Sequence, residues 1–139
     1  MAKKSNFRAL ICDDHEEFRD LLAIFCRKEG VDLEAVENAE QLLERTDKLA
    51  GYDVLFLDVE MPGIDGFEAL SRVQAAQPTL PIVMVTVRED TDSVVRALRL
   101  GAKDFIAKPL DPSRLRQALS NAISGFSPTQ NDIAPSMPL

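Results

Sequence analysis

The sequence predicts an α/β protein built on a five-stranded, parallel, doubly wound sheet with helices on both faces. Three observations lead there. Five short apolar runs alternate with five segments whose apolar residues recur every three or four positions, the spacing of one helix face. The connections are short, so each strand passes directly into its helix. Residues 54–57 and 82–85 are apolar without interruption, as strands covered on both faces are.

The first strand spans residues 8–12. Phe18, Leu21, Leu22 and Phe25 then mark one face of a helix that Gly30 ends. Residues 31–36 alternate, with Val31, Leu33 and Ala35 set against Asp32 and Glu34, so this strand has a wet face and belongs at an edge. Asn38 caps a second helix, Gln41 completes its capping box, and Gly51 closes it. After the central strand at 54–57, a third helix carries Phe67, Leu70 and Val73 inward until Pro78 stops it. The strand at 82–85 leads to a helix over residues 90–100 with Val94, Val95 and Leu98 inward and Gly101 at its end. Residues 104–107 form the fifth strand. Asp111 caps the last helix and Pro112 opens it, and its apolar stripe is Leu115, Ala118, Leu119 and Ala122. The domain is expected over residues 7–125, after an N-terminal extension at 1–6. Residues 126–139 hold three prolines, no lysine or arginine and no helical period, and read as a flexible tail or linker.

A chain of 139 residues is long enough for one domain with a sizeable core. Its net charge of -7, from 16 basic and 23 acidic residues, opposes direct nucleic-acid binding, which needs cations to neutralise phosphates. Cys12 and Cys26 lack metal-ligand spacing and read as buried thiols. Residues 1–6 lack the apolar stretch of a signal peptide, and no segment is apolar enough to span a bilayer. A cytoplasmic protein with no membrane contact is the expectation.

The polar residues that end the strands carry the chemistry. Asp13 and Asp14 end the first run, Asp58 the third and Thr86 the fourth, and Lys108-Pro109 follows the fifth. In a parallel sheet these groups share the carboxyl edge, where open α/β folds bind ligands. Three carboxylates so placed repel one another by about 4 kcal/mol per pair, taking ~4 Å and an effective dielectric of ~20. A cation must offset this. Mg²⁺ suits the site because it takes hard oxygen ligands and keeps waters that a phosphoryl group can replace; Lys108 is a second cation. Asp58, at the rim of the sheet where its carboxylate would be partly exposed, is the nucleophile of choice. His15 has no partner histidine and reads as a solvated loop residue. Asp65-Gly66 reads as a turn and helix start, and Arg96, Arg99 and Arg114 as a solvated or partner-contacting face.

The segments Ile11-Cys12-Asp13-Asp14, Leu57-Asp58-Val59-Glu60-Met61-Pro62-Gly63-Ile64-Asp65-Gly66, Val85-Thr86 and Lys108-Pro109 resemble the signature of response regulator receiver domains over about residues 7–124. These are the phosphate-accepting modules of two-component signalling. The resemblance implies a flavodoxin-like strand order, 2-1-3-4-5. It implies that Asp58 accepts a phosphoryl group from the phosphohistidine of a sensor histidine kinase or phosphotransfer protein. Asp14, Asp58 and the backbone carbonyl of Glu60 would bind Mg²⁺ directly, with Asp13 helping through water. Lys108 would pair with the phosphoryl oxygens, Thr86 would move to donate a hydrogen bond to them, and Phe105 would turn inward as the switch aromatic. The Lys108–Pro109 bond is expected to be cis. An output partner or domain would dock between Asp90 and Ser124, and phosphorylation could produce a homodimer. Such a chain is no enzyme beyond assisting its own phosphorylation and dephosphorylation.

Three positions depart from the family's usual pattern or tune it. Val87 stands where a small residue is general; it either narrows access, slowing hydrolysis and phosphoryl uptake, or continues the strand's packing. Glu60 and Arg88 either pair across the pocket mouth, as a gate on rate, or are independent solvated charges. Phe105 lacks a tyrosine's hydroxyl. It either favours the inward rotamer through burial, at roughly 25 cal/mol per Å², or is an ordinary strand aromatic. Two other readings remain: a domain cut from a larger regulator or hybrid kinase, and an aspartate-nucleophile phosphohydrolase of the haloacid dehalogenase type. The latter needs a second aspartate two residues after the first, where this chain has Glu60.

Overall fold

Alternation along the strands sorts their apolar side chains onto two faces, and each face is closed by its own helices. The computed structural model describes residues 7–87 and 90–127. The strands are β1 (Phe7–Cys12), β2 (Val31–Val36), β3 (Val54–Asp58), β4 (Ile82–Thr86) and β5 (Asp104–Ala107). The α-helices are α1 (Glu16–Lys28), α2 (Ala39–Leu43), α3 (Gly66–Ala76), α4 (Thr91–Arg99) and α5 (Pro112–Ala122). All strand pairs are parallel and their order is β2-β1-β3-β4-β5, the order and fold class the sequence led us to expect.

On one face Leu10, Leu55, Leu57, Ile82 and Met84 meet Leu42, Leu70 and Val73 from the α2 and α3 side. On the other, Ile11, Phe56, Val83 and Val85 meet Phe18 and Leu22 of α1 and Leu115 and Leu119 of α5. β3 and β4 are buried throughout, so their uninterrupted apolar runs are explained by cover on both faces. Each such side chain contributes about 1.5–3 kcal/mol by leaving water, and this double core holds the strand ends in register.

The structure departs from the sequence reading at three elements. The second helix is short, and a 3₁₀ segment, Thr46–Gly51, follows it. The Thr46 and Gly51 carbonyls accept instead from Gln77 Nε2 and Arg8 Nη1, at 3.0 and 3.1 Å. A continuous α-helix would have committed the Thr46 carbonyl to its own ladder. On α4 the fully buried residue is Ala97, while Val95 and Leu98 are 39% and 48% exposed and Val94 is half-buried. The helix is rotated because small Ala97 lies on the sheet, Leu100 packs beside it and the Arg96 guanidinium covers the Phe67 ring at 4.1 Å. Leu21 of α1 is likewise marginal; Phe18, Leu22 and Cys26 form the buried row.

Cys12 and Cys26 are buried free thiols, as expected, and burial pushes both up to about 12. Phe126, which the composition assigned to the tail, is half-buried with its ring 5.9 Å from that of Phe7. The expected N-terminal extension, most of the expected tail, and Arg88 lie outside the described residues. Among those described, no helix is long and apolar enough to cross a membrane.

Candidate functional site

Parallel pairing brings the candidate groups together at the carboxyl edge. Asp13 follows β1, and its amide donates to Val36 at 3.2 Å; Asp58 ends β3, where the Val59 amide donates to Val85 at 3.0 Å. Lys108 follows β5, and its amide donates to the carbonyl of Thr86 at 2.8 Å. The Lys108–Pro109 bond is cis. Asp13, Asp58 and Thr86 are all buried, whereas Asp14 and Glu60 are exposed; the Asp58 carboxylate is not partly exposed as expected, because neighbouring strand ends and Lys108 cover it.

Lys108 Nζ lies 2.8 Å from Asp13 Oδ2 and 3.8 Å from Asp58 Oδ2, yet neither oxygen has an aligned hydrogen-bond donor. The ammonium, 11% exposed and seated over the Phe18 ring at 4.5 Å, offsets charge without satisfying these lone pairs. Burial raises Asp58 from 3.8 to about 6, and the Asp13 charge adds to the rise. Lys108 and the Glu60 amide, which donates to Asp58 Oδ1 at 3.1 Å, pull the other way and do not overcome it. Buried carboxylate oxygens left without donors, beside exposed Asp14, form a donor set that fits a hard divalent cation.

His15 is an exposed loop residue, as the sequence led us to expect, and its ring nitrogen also reaches this cluster. Its amide donates to Asp13 Oδ1 at 2.8 Å, and its Nδ1 lies 3.1 Å from Asp13 Oδ1 and 3.3 Å from Asp14 Oδ1. One ligand atom each from Asp13, Asp14, His15 and Asp58 fall within 4.8 Å of one another. The signal in the sequence was the turn: an Asp two residues before a His folds the backbone back onto its own carboxylate.

The mouth is a cavity of ≈ 630 Å³ lined by Asp14, His15, Glu60, Met61 and Arg96 among others. Val87 is 66% exposed, so it does not continue the packing of β4. A Glu60–Arg88 pair would rest on a residue outside those described. Phe105 is half-buried against the α3-side core and borders a second cavity, ≈ 520 Å³, with Val94, Leu98 and Pro109. Arg114 Nη2 holds this strand end, donating to Asp104 Oδ1 at 2.6 Å and to the Phe105 carbonyl at 2.9 Å.

The β3–α3 loop is shaped by Asp65, which caps α3 by accepting from the Glu68 amide at 2.9 Å, and by Gly66. The Gly66 amide donates to Val59 at 2.9 Å. A Cβ on Gly66 would collide with the Asp58 carbonyl and reach Val59 Cα and O at 2.6 and 2.8 Å. Only a glycine lets the helix start this close to the end of β3.

The sequence matches the family model described as a response regulator receiver domain over residues 9–120. It is 33% identical over 118 residues to the transcriptional regulatory protein FixJ of Bradyrhizobium diazoefficiens, covering 85% of this chain and 57% of that protein. It is 32% identical over 122 residues to the response regulator protein PilR of Pseudomonas aeruginosa, covering 86% of this chain and 26% of PilR. The chain therefore spans between about a quarter and somewhat over half of these relatives. Among solved structures, the Vibrio cholerae chemotaxis protein CheY4 superimposes with a TM-score of 0.77 at 25% identity, over 85% of this chain and 99% of that one.

Proposed function

The chain belongs to the response regulator receiver domain family, and from that premise we propose that it takes a phosphoryl group onto Asp58 and thereby alters a surface offered to partners. The observation that carries the reading is Asp58 itself. It is 2% exposed at a strand end, with a lysine ammonium at 3.8 Å and two further aspartates alongside. Near pH 7 a carboxyl at about 6 is ionised and nucleophilic.

The donor is a phosphohistidine on a sensor histidine kinase or phosphotransfer protein. An Asp58 oxygen bonds to phosphorus as the P–N bond breaks, and the electron pair leaves with the donor imidazole, which takes up a proton. The reaction needs alignment and neutralisation of the phosphoryl oxygens more than covalent chemistry from the protein. Lys108, within reach of Asp58, pairs with those oxygens. Asp13, Asp14, Asp58 and the Glu60 carbonyl would hold Mg²⁺, which when bound offsets the charge of the phosphoryl group. The Thr86 hydroxyl donates to the phosphoryl group, and half-buried Phe105 moves inward beside it.

The response is a population shift on a surface already formed. That surface runs over α4, β5 and α5, where Leu98 stands exposed at the Phe105 cavity and Val95 is exposed on the same helix. Its partner is an output domain or protein, and a phosphorylation-linked homodimer would use the same face. Exposed Val87, next to Thr86, slows both uptake and hydrolysis. The chain turns over no substrate besides its own phosphoryl group. Fluorine NMR with beryllofluoride, a phosphoryl mimic, tests the reading. A bound signal that needs both Mg²⁺ and Asp58, and is lost in Asp58→Asn, is expected; a folded wild-type protein with no bound signal would refute it.

A further inference from the structure

We propose that His15 Nδ1 is a ligand of the divalent cation, and that it gives this site a preference for nitrogen-accepting ions such as Ni²⁺ over Mg²⁺. The inference rests on the cation site described above, since His15 has no metal to bind without it. In an octahedral shell with bonds of about 2.1 Å, adjacent ligand atoms are about 3.0 Å apart and opposite ones about 4.2 Å. His15 Nδ1 stands 3.1 Å from Asp13 Oδ1 and 3.3 Å from Asp14 Oδ1, close to that adjacent spacing. All four candidate ligand atoms lie within 4.8 Å, so a single ion can span them. Independently of that spacing, two buried oxygens of the cluster, Asp13 Oδ2 and Asp58 Oδ2, lack hydrogen-bond donors.

Nδ1 faces both kinds of neighbour: the Asp13 and Asp14 oxygens at 3.1 and 3.3 Å accept its proton when no ion is bound, and a cation between them exchanges that proton for a metal bond. Lys108 Nζ, which can only donate, sits 3.5 Å away. With the ring proton on Nε2, Nδ1 offers its lone pair toward the carboxylates' shared centre, where only a cation is welcome. The backbone keeps the residue beside the cluster: the His15 amide bonds to Asp13 Oδ1, so the residue cannot leave the turn without breaking that contact. The side chain is 64% exposed and caps nothing on α1, so packing does not explain its position.

Ligand chemistry then predicts selectivity. Carboxylates and carbonyls alone suit Mg²⁺, whereas an imidazole adds affinity along the series that rises through Ni²⁺ and Cu²⁺. Neutral His15 adds no charge, so its removal leaves the attraction for Mg²⁺ almost unchanged. His15 is the sole histidine and both thiols are buried, so no competing soft site obscures the measurement.

The test is calorimetric titration of the untagged chain and of His15→Gln with Ni²⁺ and with Mg²⁺. Pulsed electron paramagnetic resonance of the Mn²⁺ complexes reports nitrogen coupling directly. Wild type should bind Ni²⁺ about 100-fold tighter than Mg²⁺; His15→Gln should lose about 10- to 100-fold for Ni²⁺ and less than about twofold for Mg²⁺. The nitrogen modulation should vanish with it. Unchanged Ni²⁺ affinity, or equal losses for both ions, would overturn the role of His15 and leave the cation site standing. Failure of folded wild type to bind any of the three ions would remove the site itself, and the inference with it.

Discussion

Replacing Asp58 by asparagine should make the metal-free protein more stable, although it removes the group proposed to accept phosphate. Asp58 is raised from 3.8 to about 6 by burial and by Asp13. The folded state thus holds its proton longer than the unfolded state. The stability tied to this group is full below 3.8 and is lost as pH rises through about 6. The interval corresponds to about 3 kcal/mol near pH 7, at about 1.4 kcal/mol per tenfold change in proton affinity. Asparagine is a neutral isostere whose amide oxygen keeps the bond from the Glu60 amide, now 3.1 Å long. Asp58→Asn should therefore gain about 3 kcal/mol near pH 7 and about half of that near pH 5. Urea unfolding followed by circular dichroism, in chelator, measures both values, with equal m-values as the control. Saturating Mg²⁺ should close the gap by stabilising wild type alone. A variant no more stable than wild type near pH 7, or a gain that does not shrink toward pH 5, would refute the burial argument.

Lys108→Met takes away the ammonium 2.8 Å from the buried Asp13 carboxylate, and should cost about 3 kcal/mol in chelator; Mg²⁺ should restore part of the loss, read as a rise in Tm. Val87→Ala should speed hydrolysis of the phosphorylated form and uptake from small phosphodonors by about fivefold, a barrier change of about 1 kcal/mol. Its stability should stay within about 0.5 kcal/mol of wild type, because the side chain is exposed; unchanged rates would show that Val87 guards nothing. Arg114→Ala should cost about 1–2 kcal/mol by removing charged hydrogen bonds to Asp104 and the Phe105 carbonyl. Burial alone would raise Asp104, but the bonds from Arg114, Phe105 and Asn121 hold it below its ordinary 3.8. That contribution is present above 3.8 and lost as pH falls further, so the difference between wild type and variant in denaturant should shrink in acid.

Much of the site could be read from the chain because a parallel sheet collects strand-end residues at one edge. Asp13, Asp58, Thr86 and Lys108 needed only the strand boundaries and the topology to meet. The remainder depended on rotations that spacing does not encode. Val95 and Leu98 sit on the apolar side of α4, but an amphipathic pattern does not say which row meets the sheet, and Ala97 won by size. The break after α2 came from side chains of β1 and of the residue that follows α3 capturing carbonyls, contacts invisible locally. His15 was set aside because it lacks a histidine partner, while its position followed from a two-residue turn onto Asp13. Lys108 was expected beside the phosphoryl acceptor, and in this state it rests closer to Asp13.

Gly66 has a consequence for how such chains are compared. A relative could keep both acidic strand ends, the lysine and the threonine and still lose the pocket through one added methyl group, since that atom would fall on the backbone of Asp58 and Val59. An inventory of reactive side chains is therefore an incomplete description of competence. The space a side chain declines to fill is inherited along with the groups that react. Divergence at this position should be weighed as heavily as loss of a carboxylate when family members are sorted into working and silent receivers.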